Sequence, residues 1–207
     1  MSLPERTAEL LARLRAGDQP AVGELFDLFR DRLWRMLYVR LDRRVSARLA
    51  PDDVLQEAFL DVARRIGEYL AAPAVPVYVW LRFLTIQRMQ MLQRMHLGAG
   101  IRAVGAEVPL PNGELSYASA ESMAGQLIGH MTSPSQAAIR HELQERLRTA
   151  LDEMDPLDRE VLALRHFEEL GNNEVAQVLN ITKDAASKRH VRALKRLREI
   201  LNEAADA

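Results

Sequence analysis

Apolar residues recur every third or fourth position through almost the whole chain, and that period is the imprint of helices burying one face. Leu10, Leu11 and Leu14 share a face before Gly17. Val22, Phe26, Phe29, Leu33 and Leu37 share the next, on a helix expected to start near 18–20 and run towards residue 43. Leu55, Phe59, Val62, Ile66 and Tyr69 form a third stripe after Pro51, and Trp80, Leu81 and Leu84 a fourth within residues 77–97. Ile139, Leu143, Leu147, Ala150 and Met154 line a fifth. Glycine and proline, which weaken helix interiors, number only 10 and 9 among 207 residues. The expectation is an all-α protein.

Local chemistry sets the helix ends. Ser2-x-x-Glu5 with Pro4, Asp53-x-x-Gln56 after Pro51, and Ser133-x-x-Gln136 with Pro134 all read as capped starts. Asp155–Pro156 breaks one helix and opens another that runs to Leu170 and stops at Gly171. Residues 98–135 differ: they hold six of the ten glycines, with Pro109, Pro111 and the Asn112–Gly113 turn signal. This stretch reads as a linker with room for one short helix around 118–131. The expected organisation is a helical domain at 1–97, a flexible linker at 98–133 and a second helical domain at 134–207.

Several chemistries are excluded. Without cysteine there are no disulfides, thiolate zinc sites or cysteine nucleophiles. His96, His130, His141, His166 and His190 are scattered, with neither an H-E-x-x-H pattern nor a glycine-rich phosphate loop. No catalytic residue, metal site, cofactor or small-molecule substrate is expected. Asp52 and Asp53 read as acids favoured at a helix N-terminus, and His190 as a core or edge histidine. Residues 1–13 are charged, unlike a signal peptide, and no apolar run approaches a membrane span, so a cytoplasmic protein is expected.

A net charge of −1 conceals strong segregation. Residues 51–69 sum to −3, residues 82–102 to +4 with no acid, residues 140–180 to −5 and residues 183–198 to +6. Clustered basic residues are the electrostatic footprint of nucleic-acid binding. The most informative pattern lies in the last third. A short helix at 173–179, the turn Asn180–Ile181–Thr182 and a long basic helix at 183–201 form a helix-turn-helix. Asn180 suits a left-handed helix end and Thr182 suits a cap. Ala186, His190, Ala193 and Leu197 fall on one narrow packing face; Asp184, Lys188, Val191, Arg192 and Lys195 fall opposite, where a recognition helix meets DNA.

At these residues the sequence resembles the extracytoplasmic-function sigma factors of the sigma-70 family. Residues 161–201 are similar to that family's −35-binding domain. Residues 52–69 are similar to its acidic core-polymerase-binding helix, with Asp53, Gln56, Glu57 and Phe59 at its D-x-x-Q-E-x-F positions. Residues 79–94 correspond to its −10-reading helix, where Trp80 and Leu81 match. Leu84, Thr85, Gln87 and Met91 stand where the family usually has Ile, Ala, Asn and Asp.

The resemblance implies a transcription initiation factor whose partners are core RNA polymerase, promoter DNA and an anti-sigma protein. Polymerase contact falls to Asp53, Leu55, Gln56, Glu57, Phe59 and Asp61, with Leu55 and Phe59 equally readable as core. Single-strand contact at the −10 element falls to Tyr78, Arg82, Phe83, Gln87, Arg88 and Arg94. Duplex contact at the −35 element falls to Lys183, Asp184, Ser187, Lys188, Arg189, Val191, Arg192, Lys195 and Arg196, with Lys188 and Arg192 reading base edges and Arg189, Lys195 and Arg196 meeting phosphates. The main alternative is a dimeric helix-turn-helix regulator with a sensing or dimerisation domain in residues 1–97. A helical interaction adaptor is a third reading, opposed by the acid-free arginine helix.

Overall fold

The computed structural model describes residues 1–41, 48–98, 118–128 and 137–203. All regular elements among them are helical: α1 Leu3–Arg15, α2 Ala21–Tyr38, α3 Pro51–Ala71, α4 Val77–Gly98, α5 Ala120–Ile128, α6 Ala137–Asp152, α7 Pro156–Leu162, α8 Asn172–Val178 and α9 Lys183–Glu203. A π turn at Ala163–Phe167 continues α7. No described helix is long and apolar enough to cross a membrane.

The chain divides into two compact units, Met1–Leu37 with Leu41–Val108, and Tyr38–Arg40 with Pro109–Ala207. In the first unit α1 starts as its sequence dictates: Ser2 caps Glu5 N–H while the Glu5 carboxylate accepts from Ser2 N–H at 2.8 Å. Gly17, at φ 90°, adopts the left-handed conformation that lets the chain turn after α1. Leu10, Leu14, Leu25, Phe26, Phe29, Leu33, Leu55, Ala58, Val62, Leu81 and Leu84 fill the core. Two expectations shift here. The helix expected to reach residue 43 ends at Tyr38. The box opening α3 is one turn earlier than read, for Asp53 accepts from Ala50 N–H at 2.8 Å instead of capping Gln56. Asp52, beside the helix N-terminus, accepts from Arg30 at 2.8 Å and from the Trp34 indole at 3.2 Å.

In the second unit Met123 and Ala124 of α5, Ala150 and Leu151 of α6, Leu162, Ala163 and Phe167, and Ala193 and Ile200 of α9 form one apolar cluster that also takes in Val39. Residues 120–128, expected within the linker, are thus core here. The 109–113 turns and the Ser133-x-x-Gln136 cap lie outside the described residues. Leu143, expected on the inner face of α6, is exposed, whereas Leu147 packs on the cluster. Arg40 is wholly buried in this unit, its guanidinium paired with Glu160 and, at 2.7 Å, with Glu168, both equally buried. Glu160 also accepts from Ala118 N–H at 3.0 Å. A buried ion group of this kind is tolerable because both carboxylates find the cation and Glu160 a further donor.

Candidate functional site

The helix-turn-helix forms as its turn chemistry requires. Asn180 sits at φ 52°, the left-handed conformation that asparagine tolerates, and Thr182 Oγ1 accepts from Ala185 N–H at 3.2 Å to start α9. Asn172 ties the two helices together by donating to the Lys183 carbonyl at 2.8 Å. Ala186 and Ala193 are fully buried, so α9 packs closely on α7 and α8 along the face expected of it. Lys183, Asp184, Ser187, Lys188, Val191 and Lys195 face solvent, Val191 being 64% exposed despite its apolar side chain.

One arginine of α9 departs from expectation. The Asp158 carboxylate accepts from Arg189 Nη1 at 2.5 Å and from Arg192 Nη2 at 3.1 Å, so both guanidinia lie along the flank of α9. Arg192, expected to read base edges, therefore shares the side of the helix occupied by Arg189 and Arg196. Lys195 and Arg196 each approach Glu199 at 3.8 Å. Lys188 and Arg198 have no acidic partner among the described residues. Arg198 joins the outward face three turns after Lys188 by helical geometry; it was missed because it lies near the end of the basic run.

His190 on α9 meets His166 of the π turn, Nε2 to Nε2 at 3.0 Å. Burial, with the charge of Arg165 nearby, holds both imidazoles below the usual histidine range. One neutral imidazole donates to the other, tying the π turn to the recognition helix.

The arginine-rich α4 is a different surface from the one expected. Its buried face runs through Tyr78, Leu81, Arg82, Thr85, Met89 and Leu92. Tyr78, expected to stack on bases, is 2% exposed, lies 5.5 Å from the Phe29 ring and carries the Arg32 guanidinium 3.7 Å over its face. Arg82, expected to meet phosphates, falls one turn on along the same face and is buried. Arg88 is half-buried and bound to α3, at 2.5 Å from Asp61 and 3.6 Å from Glu57. Arg88, expected in the nucleic-acid set, and Asp61, expected in the polymerase set, are thus paired with each other. Phe83, Gln87, Met91, Arg94 and Met95 remain outward on α4. Trp80 stacks on Tyr69 with ring centroids 4.8 Å apart, as expected of a packing residue.

On α3, Leu55 is fully buried and Phe59 packs edge-on against Phe26 at 5.5 Å, so both serve the core. Asp53, Gln56 and Glu57 keep exposure, and Leu60, 44% exposed, extends their row by one turn. Leu60 was missed because a leucine at helical spacing reads as core; its four-residue offset from Gln56 was the available signal.

Residues 150–199 match the family described as Sigma-70, region 4, which spans the end of α6 through α9. Over nearly the full chain the sequence is 23% identical to the ECF RNA polymerase sigma factor BldN of Streptomyces coelicolor, covering 95% of this chain and 66% of BldN. It is 23% identical to the ECF RNA polymerase sigma factor SigW of Bacillus subtilis, covering 93% of this chain and 95% of SigW. The chain thus carries sigma-70 region 4 at residues 150–199 and is similar along nearly its whole length to ECF sigma factors. Its fold agrees: a solved structure of CnrH in complex with the cytosolic domain of CnrY superposes with a TM-score of 0.56 at 21% identity, covering 98% of this chain and 99% of CnrH. The helix-turn-helix of α8 and α9 therefore lies inside the matched region 4, while α3 and α4 lie outside it.

Proposed function

We propose that this chain directs RNA polymerase to promoters, holding core polymerase through α3, a melted −10 strand through α4 and the −35 duplex through α9. The observation carrying this reading is the recognition helix: a tight turn, a buried alanine seam and an outward row of polar and basic side chains, all within the region 4 match. Lys188 and Val191 sit where a helix in the major groove reads base edges, Val191 offering a methyl partner for thymine; Asp184 can accept from a cytosine amino group. Lys183, Ser187, Arg189, Arg192, Lys195, Arg196 and Arg198 serve the phosphates.

On α4 the strand contacts fall to Phe83 for stacking, Gln87 for a base-edge hydrogen bond and Arg94 for phosphate. On α3 the polymerase contacts fall to Gln56, Glu57 and Leu60, with Asp53 at the helix start. The relatives' names support polymerase as a partner, and the CnrH complex supports a cytosolic protein domain as another, the role of an anti-sigma protein. The role is regulatory and cytoplasmic, without an active site of its own. The two functional domains assigned from the sequence, 1–97 for polymerase and −10 and 134–207 for −35, stand as part of this proposal, with α5 added to the second.

Reconstitution with core RNA polymerase and mapping of transcript starts tests the reading. Starts that share −10 and −35 sequences support it; polymerase showing no added promoter selectivity overturns it. The dimeric-regulator alternative predicts operator binding without polymerase.

A further inference from the structure

One carboxylate in the second unit has an unusual load. Asp158 stands in the first turn of α7, where its own N–H donates to the capping Asp155 side chain at 3.2 Å. Its side chain is 9% exposed, yet it holds two guanidinia of the recognition helix: Arg189, 25% exposed, and Arg192, 62% exposed. Arg192 engages it through two nitrogens, Nη2 at 3.1 Å and Nε at 3.4 Å. Asp155 adds a second acid 3.8 Å from Arg189. Beside the pair lies a depression of about 370 Å³, lined by Glu153, Asp155, Asp158 and Glu199 as well as Arg192 and Lys195. A guanidinium carries five donors in a rigid fork, so each arginine keeps donors for a phosphate while its position is fixed by Asp158.

Resting on the DNA-reading role proposed for α9, we infer that Asp158 is a positioning residue that sets promoter specificity, by fixing Arg189 and Arg192 on the flank of α9 and cancelling one of their two charges. Arginines on free stems reach phosphates in any register and add affinity without sequence information. Arginines held on a buried carboxylate meet phosphates only where α9 is seated in one register. The carboxylate thus suppresses binding to wrong sequences, as a repulsive element does at a selective interface.

The alternative is that Asp158 only fastens α7 to α9; removing it would then weaken all DNA binding. The two readings differ in sign. Asp158→Asn in the full chain keeps the shape and removes the charge. Anisotropy titrations use a random-sequence duplex and a duplex enriched by repeated selection with the unmodified chain, at 50–200 mM salt, with thermal melts alongside. One more effective phosphate contact steepens the salt slope by about 0.9 and tightens random-duplex binding about eightfold at 0.1 M salt. The selected duplex gains less, so the ratio of the two affinities falls by about threefold or more. Asp158→Glu restores the charge and the ratio, and in an Arg189→Ala/Arg192→Ala background Asp158→Asn has no effect. Should the Asn variant not fold, Arg192→Lys, which keeps the charge but loses the two-nitrogen hold and leaves α7 intact, lowers the ratio in the same direction. An unchanged or weaker random-duplex affinity in a folded variant, or a preserved ratio with Arg192→Lys, overturns the inference alone. If the unmodified chain enriches no sequence, the DNA-reading role fails and this inference fails with it.

Discussion

The two basic helices, α4 with three arginines and α9 with seven lysines and arginines, end in opposite situations. Arg82 of α4 is buried and Arg88 is bound to Asp61 and Glu57, which leaves Arg94 as the exposed arginine of the set assigned to the strand. On α9 the cations lie along the surface; even Arg192, tied to Asp158, stays 62% exposed. The difference comes from the neighbours. α4 packs an apolar face on α3, a helix whose outward side is acidic, so its arginines are drawn inward or across. Between residues 183 and 198 the buried positions of α9 are two alanines, a seam too shallow to bury a long side chain. The charge of a segment therefore describes a surface only after the neighbouring element has been counted.

The strongest way to break this comparison is to cut the apolar side of α4. Leu81→Ala should destabilise the first unit by about 2–5 kcal/mol in urea or thermal unfolding, while Phe83→Ala changes stability by no more than about 0.5 kcal/mol. Equal effects would mean that α4 does not present the faces described. On α9, Lys188→Ala should weaken −35 duplex binding by about 1–3 kcal/mol and relax preference at one base pair, whereas Lys195→Ala weakens all sequences alike and flattens the salt dependence. A substitution panel across the −35 element separates the two. Asp61→Asn, which takes the charged partner from half-buried Arg88, should lower stability by about 1–2 kcal/mol and raise affinity for single-stranded DNA by freeing the cation. Single-strand binding unchanged in that variant would show that Arg88 is held in place by more than its charge.

The smallest effect is a pH effect. His166 and His190 both titrate below the ordinary histidine value in the folded chain, so the unfolded chain takes up their protons first. Their contribution to stability is complete above about pH 6.5 and is lost as pH falls through the lower folded values. The melting temperature of the full chain should decline between pH 7 and 5 by more than that of a His166→Phe/His190→Leu variant. Parallel pH curves would assign the decline to other groups.

The features legible in the sequence share one property: their causes are local. The Ser2 box, the positive φ of Asn180, the Thr182 cap and the alanine seam of α9 are each set within a few residues. The features that were not legible concern partners distant in the chain. Arg88 and Asp61 are 27 residues apart and Arg192 and Asp158 are 34 apart, so neither pairing leaves a periodic trace. The buried face of α4 was obscured for another reason. Apolar residues lie on several sides of that helix, including exposed Phe83, Met91 and Met95, and periodicity cannot choose among them. Residues 120–128 read as linker because one short helix between glycines carries little pattern, although Met123 and Ala124 are as buried as any core residue.

The buried group formed by Arg40, Glu160 and Glu168 also sets an order of events during synthesis. A ribosome adding about 5–20 residues per second takes about 6–24 s to travel the 120 residues from Arg40 to Glu160. Through that interval Arg40 is translated, hydrated and without its native counter-charges, so the second unit closes on a segment that emerged long before it. A truncated chain starting at residue 134 would present Glu160 and Glu168 to a core lacking that guanidinium. Such a fragment should misreport the stability of its own fold, because its buried carboxylates lack the counter-charge that Arg40 supplies.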